Sequence, residues 1–494
     1  MQNKSLIILF LLCLLPAGKA QTPPAVRQFL SRQSMKGASF SLMAKEVNSG
    51  DILYAYEADR KMTPASVLKI VTTATALELL GAEYRFATTL EYDGVIADSI
   101  LRGNLYIKGS GDPSLGSSHF APDRSNYTPD RNTFIPQWIA ALEKQGVRRI
   151  SGSVIADERI FDTEGVSMKW VYEDLGSYYG AACYGLSVFD NLYKLYVNTG
   201  APGSKPEIVS CVPAIPSLRF HNYLTVGAVA TDSSYIVGAP FSNDRYLYGV
   251  LPANGKRILL RGDIPDPPLF LAQYLSACLQ QAGIRIEGKA TCFRLLQEAD
   301  RLPGGGERKV LATTYSPTLR EIIRITNGRS HNLYADALLK TLGATKYKPA
   351  PGEVISSAGK GIQVVCSYWR EKGLDTSSLW MSDGNGLAVA NKVTASFICE
   401  LLIYMATKSR QGDAAFIASL PRAGLEGTVA GLLKGSVLQG KALLKSGGIS
   451  RIRTYAGYIT KGDKRYAVAL FTHNYSCTMQ EITKEIETLL LALF

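Results

Sequence analysis

The chain has 494 residues, 46% of them hydrophobic and 19% charged, an ordinary globular composition that excludes a disordered, collagenous or solenoid protein. The formal net charge is +12, yet no basic run is interleaved with aromatics, which argues against nucleic-acid binding. With four histidines in all and no Cys-x-x-Cys pair, neither a metal nor any other cofactor is expected.

The first twenty residues read as a leader. Lys4 supplies a positive start, Leu6 to Leu15 is apolar throughout, and Gly18-Lys19-Ala20 offers small residues for cleavage after Ala20. The run is too short to span a bilayer stably, so export without an anchor is expected. Removing residues 1–20, with Lys4 and Lys19 and no acid, leaves 12 − 2 = +10. That charge is compatible with peripheral association with an anionic cell-wall polymer or membrane, and equally with simple solubility. Cys13 leaves with the leader. The other seven (Cys183, Cys211, Cys278, Cys292, Cys366, Cys399 and Cys477) are odd in number and scattered. Inert thiols are the expectation, a Cys278–Cys292 bridge the alternative.

In chain order, Ala38 to Val47 and Ile52 to Tyr56 are predicted strands of a hairpin turning at Asn48-Ser49-Gly50-Asp51. Val67 to Leu80 is predicted helical, with Pro64 near its start and Gly81 past its end. From about residue 86 short β-like pieces recur: Arg85 to Tyr92, Gly103 to Lys108, Ile150 to Ala156, Tyr193 to Asn198 and Ile284 to Gly288. One helix, Pro268 to Ala282, is embedded among them, and Pro303-Gly304-Gly305-Gly306 reads as a linker. Helical patterns return at Thr318 to Thr326, Asn332 to Leu342 and Val354 to Lys372. Strands follow at Ala442 to Lys445, Thr454 to Thr460 and Arg465 to His473, and a closing amphipathic helix at Met479 to Phe494. The expected organisation is an α+β domain built from both chain ends, residues 21–85 and 306–494, around a five-stranded antiparallel sheet. A large β-rich insertion, residues 86–305, is expected to hold two further domains.

Three short patterns carry chemistry. In Ser66-Val67-Leu68-Lys69 the two polar side chains stand three apart on a helix face, so a neutral lysine could serve as base for the serine hydroxyl. About two Ser-x-x-Lys matches are expected by chance in such a chain; the other one here, Ser357 to Lys360, has no comparable setting. Ser330-His331-Asn332 offers a hydroxyl for proton relay and a carboxamide for the lysine and a substrate amide. Lys445-Ser446-Gly447-Gly448, ending a predicted strand, could hold a terminal carboxylate. Lys445 would also lower the pKa of Lys69, and the backbone N–H groups of Ser66 and Gly448 would form an oxyanion hole. Each pattern alone has a bland reading: a capped helix start, a polar helix terminus and a strand-ending turn.

Taken in this order and on these elements, the patterns resemble the penicillin-binding proteins. The nearest branch is the low-molecular-mass class C D-Ala-D-Ala carboxypeptidase/endopeptidases, which carry two extra domains between the first and second motifs. Ser66 and Ser330 are 330 − 66 = 264 positions apart, more than a compact β-lactamase accommodates. Gly109 to Leu115, Tyr315-Ser316-Pro317, Asn332 to Asp336, Asp383 to Leu387 and Leu420 to Thr428 are similar to the same family. The resemblance implies a β-lactamase/transpeptidase-like fold and no cofactor. It implies Ser66 as acylated nucleophile, Lys69 as its base, Ser330 in proton transfer, Asn332 on the substrate amide, and Lys445 with Ser446, Gly447 and Gly448 on the terminal residue. Substrates would be peptidoglycan stem peptides and cross-bridges, with β-lactams as acylating inhibitors, in a periplasm or secreted. Ser446 stands where the family usually has threonine. His331, in the variable middle position of its motif, is expected to face solvent or to titrate near the site. A β-lactamase and an inactive penicillin- or peptidoglycan-binding protein remain alternatives. A serine esterase of another fold would want a Gly-x-Ser-x-Gly elbow, absent around Ser66.

Overall fold

The two ends of the chain meet in one sheet. In the computed structural model, which describes residues 22–121 and 133–494, strands β1 (Ser39–Glu46) and β2 (Ile52–Tyr56) join β3 (Ala442–Ile449), β4 (Ile452–Lys461) and β5 (Lys464–His473). The order is β2-β1-β5-β4-β3, antiparallel throughout, with Leu42 opposite Leu470 and Gly447 opposite Thr454. The predicted leader lies outside the described residues. Among those described, no helix is long and apolar enough to cross a membrane.

Strand β5 shows why this sheet is central. Successive side chains point to opposite faces. Val468 and Leu470 therefore enter one core with Phe40, Leu42 and Tyr455, while Ala467, Ala469 and Phe471 enter another. Helices α1 (Pro24–Leu30) and α7 (Met479–Leu493) cover the first face. The second face is covered by α2 (Lys69–Leu80), α3 (Leu319–Arg329), α4 (Asn332–Lys346), α5 (Ser357–Glu371) and α6 (Ala395–Thr407). A strand buried on both sides reads as a continuous apolar run, as Tyr466 to Phe471 does. Burial of one such Phe or Leu side chain contributes about 1.5–3 kcal/mol.

Helix α2 runs through the middle of the second core, and Lys69 to Leu77 are all buried. The helix was expected from Val67, but Ala65–Leu68 is a 3₁₀ turn and the α-helix begins at Lys69. The tighter turn follows from Ala65, held at φ 47, a left-handed conformation that a residue with Cβ adopts at some strain.

The inserted strands pair only with one another. Thr291–Cys292, Val154–Asp157, Leu105–Lys108, Ala87–Tyr92 and Lys309–Tyr315 make a five-stranded sheet. Its core is shared with helices Ile135–Lys144 and Pro267–Gln281. A separate apolar cluster around Leu195, Val197 and Leu247 belongs to strands Leu192–Asn198, Asp244–Tyr248 and Ile258–Asp263. Strand Lys309–Tyr315 corrects the expected boundary at 305: it lies beyond the glycine-rich linker yet pairs with Ala87–Tyr92. The chain therefore returns to the first unit at Ser316-Pro317. Cys278 and Cys292 are not bridged, and the seven cysteines remain thiols.

Candidate active site

Four backbone features bring the three motifs together. The first is the 3₁₀ turn presenting Ser66, half-buried, one turn before the fully buried Lys69. The second is the corner between α3 and α4, where Ser330 adopts φ 58, ψ 44 and closes α3 through its N–H to Thr326 O. The left-handed residue ends one helix and lets Asn332 begin the next.

The third feature is the edge of the sheet. Arg422 and Ala423 cover the outer side of β3 as far as Leu444, and from Lys445 onward no strand among the described residues pairs there. An open edge of this kind accepts an extended peptide. The fourth is the absence of a side chain at Gly447. A Cβ there would lie 2.2 Å from Thr454 Oγ1, 2.8 Å from Pro64 O and 2.9 Å from Ser66 N. Glycine is what allows β3 to press against the serine turn. Thr454 donates to Pro64 O at 2.7 Å from the neighbouring strand and holds that turn in place.

Lys69 Nζ donates to Ser66 Oγ at 3.0 Å, to Asn332 Oδ1 at 2.6 Å and to the carbonyl of Asn385 at 2.6 Å. Burial lowers its pKa to about 7, against the opposing pull of Asp336 and Asp383. Burial, rather than the repulsion by Lys445 expected from sequence, is the main cause. Lys445, also fully buried, donates to Ser330 Oγ at 2.9 Å and to Ser446 O at 2.6 Å. Its pKa too is pushed well down, first by burial and then by the charges of Lys69 and Arg453. Ser446 Oγ donates to Thr428 Oγ1 at 2.8 Å.

All three patterns thus converge on one site. Ser66, Lys69 and Asn332 form one hydrogen-bonded set and Ser330, Lys445 and Ser446 another, brought together by Gly447 against the serine turn, with Gly448 exposed at the strand edge. The second Ser-x-x-Lys match does something else. Ser357 is buried at the start of α5 and its Oγ accepts from the Asp162 N–H at 2.9 Å.

Several supports escaped the sequence reading. Asp336 accepts from Gly384 N–H at 2.9 Å and from Asn385 Nδ2 at 2.6 Å, and so orients the carbonyl that receives Lys69. Burial first, and Asp383 second, raise the Asp336 pKa to about 7. The backbone carbonyl of Tyr179, in the inserted region, accepts from Asn332 Nδ2 at 2.8 Å. Asp336 and Asn385 stood in stretches noted for family resemblance, whereas a backbone carbonyl has no signal in side-chain types. His331 does not face solvent: its side chain is 14% exposed and its ring stacks on Tyr334 at 3.9 Å. Burial lowers its pKa to about 4.

A serine whose hydroxyl is bonded to a buried lysine of near-neutral pKa, beside an open strand edge, defines an active-site-serine acyl enzyme on a β-lactamase/transpeptidase-like fold. Residues 24–492 match the D-Ala-D-Ala carboxypeptidase 3 (S13) family, and the chain belongs to it. It is therefore a serine-type carboxypeptidase. The chain is 25% identical over 463 residues to the D-alanyl-D-alanine carboxypeptidase of Actinomadura sp. (strain R39), covering 90% of this chain and 80% of that protein. It is 24% identical over 456 residues to the D-alanyl-D-alanine carboxypeptidase DacB of Haemophilus influenzae, covering 90% and 88%. Its fold is similar to the crystal structure of penicillin binding protein 4 (dacB) from Haemophilus influenzae, with a TM-score of 0.79, 23% identity, and coverage of 95% of this chain and 98% of that one.

Proposed function

We propose that this protein removes the terminal D-alanine from peptidoglycan stem peptides through an acyl-enzyme on Ser66. The single observation that carries the assignment is the hydrogen bond between Lys69 Nζ and Ser66 Oγ, made by a lysine that burial brings to about neutral pKa.

The extended stem peptide lies along the open edge of β3, its terminal carboxylate on Lys445 and the Ser446 hydroxyl. An incoming carboxylate favours the charged form of Lys445, so binding itself restores the cation that burial disfavours. Lys69 takes the Ser66 proton as the oxygen attacks the penultimate D-Ala carbonyl. The oxyanion is received by the N–H groups of Ser66 and Gly448. As the C–N bond breaks, the proton that Lys69 took is relayed to the departing amine through Ser330, whose hydroxyl is held by Lys445, so that Ser330 and Lys69 are both restored and D-Ala leaves. Water then attacks the ester, giving a proton to the neutral Lys69 amine, and that proton passes to the Ser66 oxygen as its C–O bond breaks. Attack on a D-Ala–diaminopimelate cross-link is the same chemistry with a larger leaving amine. The relative named above as penicillin binding protein 4 supports β-lactam acylation of the same serine. The leader-like first twenty residues support export, to a periplasm or outside the cell.

The experiment follows intact mass during incubation with penicillin, alongside D-Ala release from a peptide ending in D-Ala-D-Ala. A persistent single adduct and D-Ala release, both absent in Ser66→Ala, are the expected result. Rapid turnover of penicillin through a fleeting adduct would replace this reading with β-lactamase, and the absence of both signals would replace it with an inactive binding protein.

A further inference from the structure

We propose that His119, Asp190 and His331 form a binding site for a divalent transition-metal ion of the zinc class, which joins the inserted region to the corner carrying Ser330 and Asn332. Two of the chain's four histidines meet at this point, with one ligand atom from each of the three residues within 4.8 Å of the others. His119 comes from the 3₁₀ turn Ser118–Phe120 of the insertion. Asp190 comes from a left-handed turn at φ 58, also in the insertion, and His331 from the α3–α4 corner.

The hydrogen-bonding of His331 points to a missing partner. Its Nε2 stands 3.6 Å from Asp190 Oδ1, beyond hydrogen-bond length. Its Nδ1 is buried and has no hydrogen-bond partner among the described residues. A ring nitrogen held 3.6 Å from a carboxylate oxygen is one that an ion bound to both could bridge.

The surroundings suit a ligand set. The ring is clamped by Tyr334 at 3.9 Å and meets the edge of His119 at 5.4 Å. Asp190 Oδ1 accepts from the Tyr334 hydroxyl at 2.9 Å, and the Ser117 hydroxyl stands 2.8 Å from the same tyrosine oxygen. Such outer contacts orient a ligating carboxylate. Ligand atoms around a tetrahedral zinc ion lie about 3.3 Å apart, given bonds of about 2.0 Å. The Asp190–His331 pair already stands near that spacing, and no pair here has to close by more than about 1.5 Å. Two imidazoles and one carboxylate favour zinc, cobalt or nickel over magnesium or calcium. The bound ion would fix the residue between Ser330 and Asn332 and hold the Tyr179 carbonyl over Asn332.

The test uses the full, metal-stripped chain titrated with Co2+ by visible absorption and with Zn2+ by calorimetry. The expected result is one ion per chain with a cobalt spectrum lacking thiolate charge-transfer bands. Affinity falls at least tenfold in both His119→Gln and Asp190→Asn, and saturating Zn2+ raises the Tm of the unaltered protein by roughly 3 °C but not that of the variants. If Asp190→Asn fails to fold through loss of its Tyr334 contact, His119→Gln, at a partly exposed position, decides alone. No saturable binding, a thiolate spectrum, or equal affinity in His119→Gln would each overturn the proposal. None of these readouts depends on peptidase activity.

Discussion

Lys445 reaches across from the strand edge to Ser330, with 2.9 Å between Nζ and Oγ, so the third motif and the second act as one unit. Once a bound carboxylate has restored the charge on Lys445, the contact gives the hydroxyl a cationic neighbour at the place where a leaving amine needs a proton. Ser330→Ala should slow acylation by penicillin about 10²–10³-fold. Because Ser330 is partly exposed and its backbone conformation carries the corner, Tm should move little. A stopped-flow acylation rate close to that of the unaltered protein would remove Ser330 from proton transfer.

The pH dependence follows from Lys69. Only its neutral form can accept the Ser66 proton, and the neutral fraction grows as pH rises through the lowered pKa of about 7. Acylation should therefore be roughly tenfold slower at pH 6 than on its alkaline plateau. Lys69→Arg, cationic at all accessible pH, should abolish the alkaline rise and leave less than about 0.1% of the rate. A flat profile in the unaltered protein would rule out Lys69 as the titrating base.

Gly447 and Gly448 should respond differently to alanine. At Gly447 the new methyl would meet Thr454 Oγ1 at 2.2 Å and the Pro64 carbonyl at 2.8 Å, forcing β3 off the serine turn. A loss of about 1–3 kcal/mol in stability is expected, with acylation falling in parallel. At Gly448 the nearest atom is the tip of Arg453 at 3.3 Å, and the N–H is retained. Gly448→Ala should keep its melting temperature and most of its rate. Equal destabilisation by the two would contradict the close approach at Gly447.

Asp336 acts through Asn385 rather than on substrate. Asp336→Ala leaves the Asn385 amide without its acceptor, a change of about 1–3 kcal/mol in stability. It also frees the carbonyl that positions Lys69. The expected kinetic signature is kcat reduced about 10–100-fold with KM nearly unchanged. A rise in KM alone would assign Asp336 to substrate binding.

The motifs were legible in sequence because their chemistry resides in side-chain types at short spacings. The fold brings Ser66 and Lys69, Ser330 and Asn332, and Lys445 to Gly448 close to one another. The strands of the central sheet were readable for a related reason: β1, β4 and β5 are bounded by turns and dense in β-formers. Helix α6, Ala395–Thr407, went unpredicted because it is buried on several sides and lacks the one-sided stripe that marks a surface helix. Also invisible were interactions made by backbone groups, such as the Tyr179 and Asn385 carbonyls. The burial of Lys69 could not be read either, since it depends on α2 being enclosed by helices supplied more than 240 residues later.

Strand β1 lies between β2 and β5, so its inner neighbour is among the last segments of the chain to be synthesised. The sheet that carries the third motif cannot close until His473 has emerged, whereas the inserted strands find all their partners between Ala87 and Tyr315. The inserted region can therefore complete its pairing while the catalytic half is still open, and the long-range β1–β5 zipper is the late, slow step. An unfinished chain is for that reason a silent one: the nucleophile is present from the first fifth of synthesis, but its electrostatic surroundings arrive only with the end.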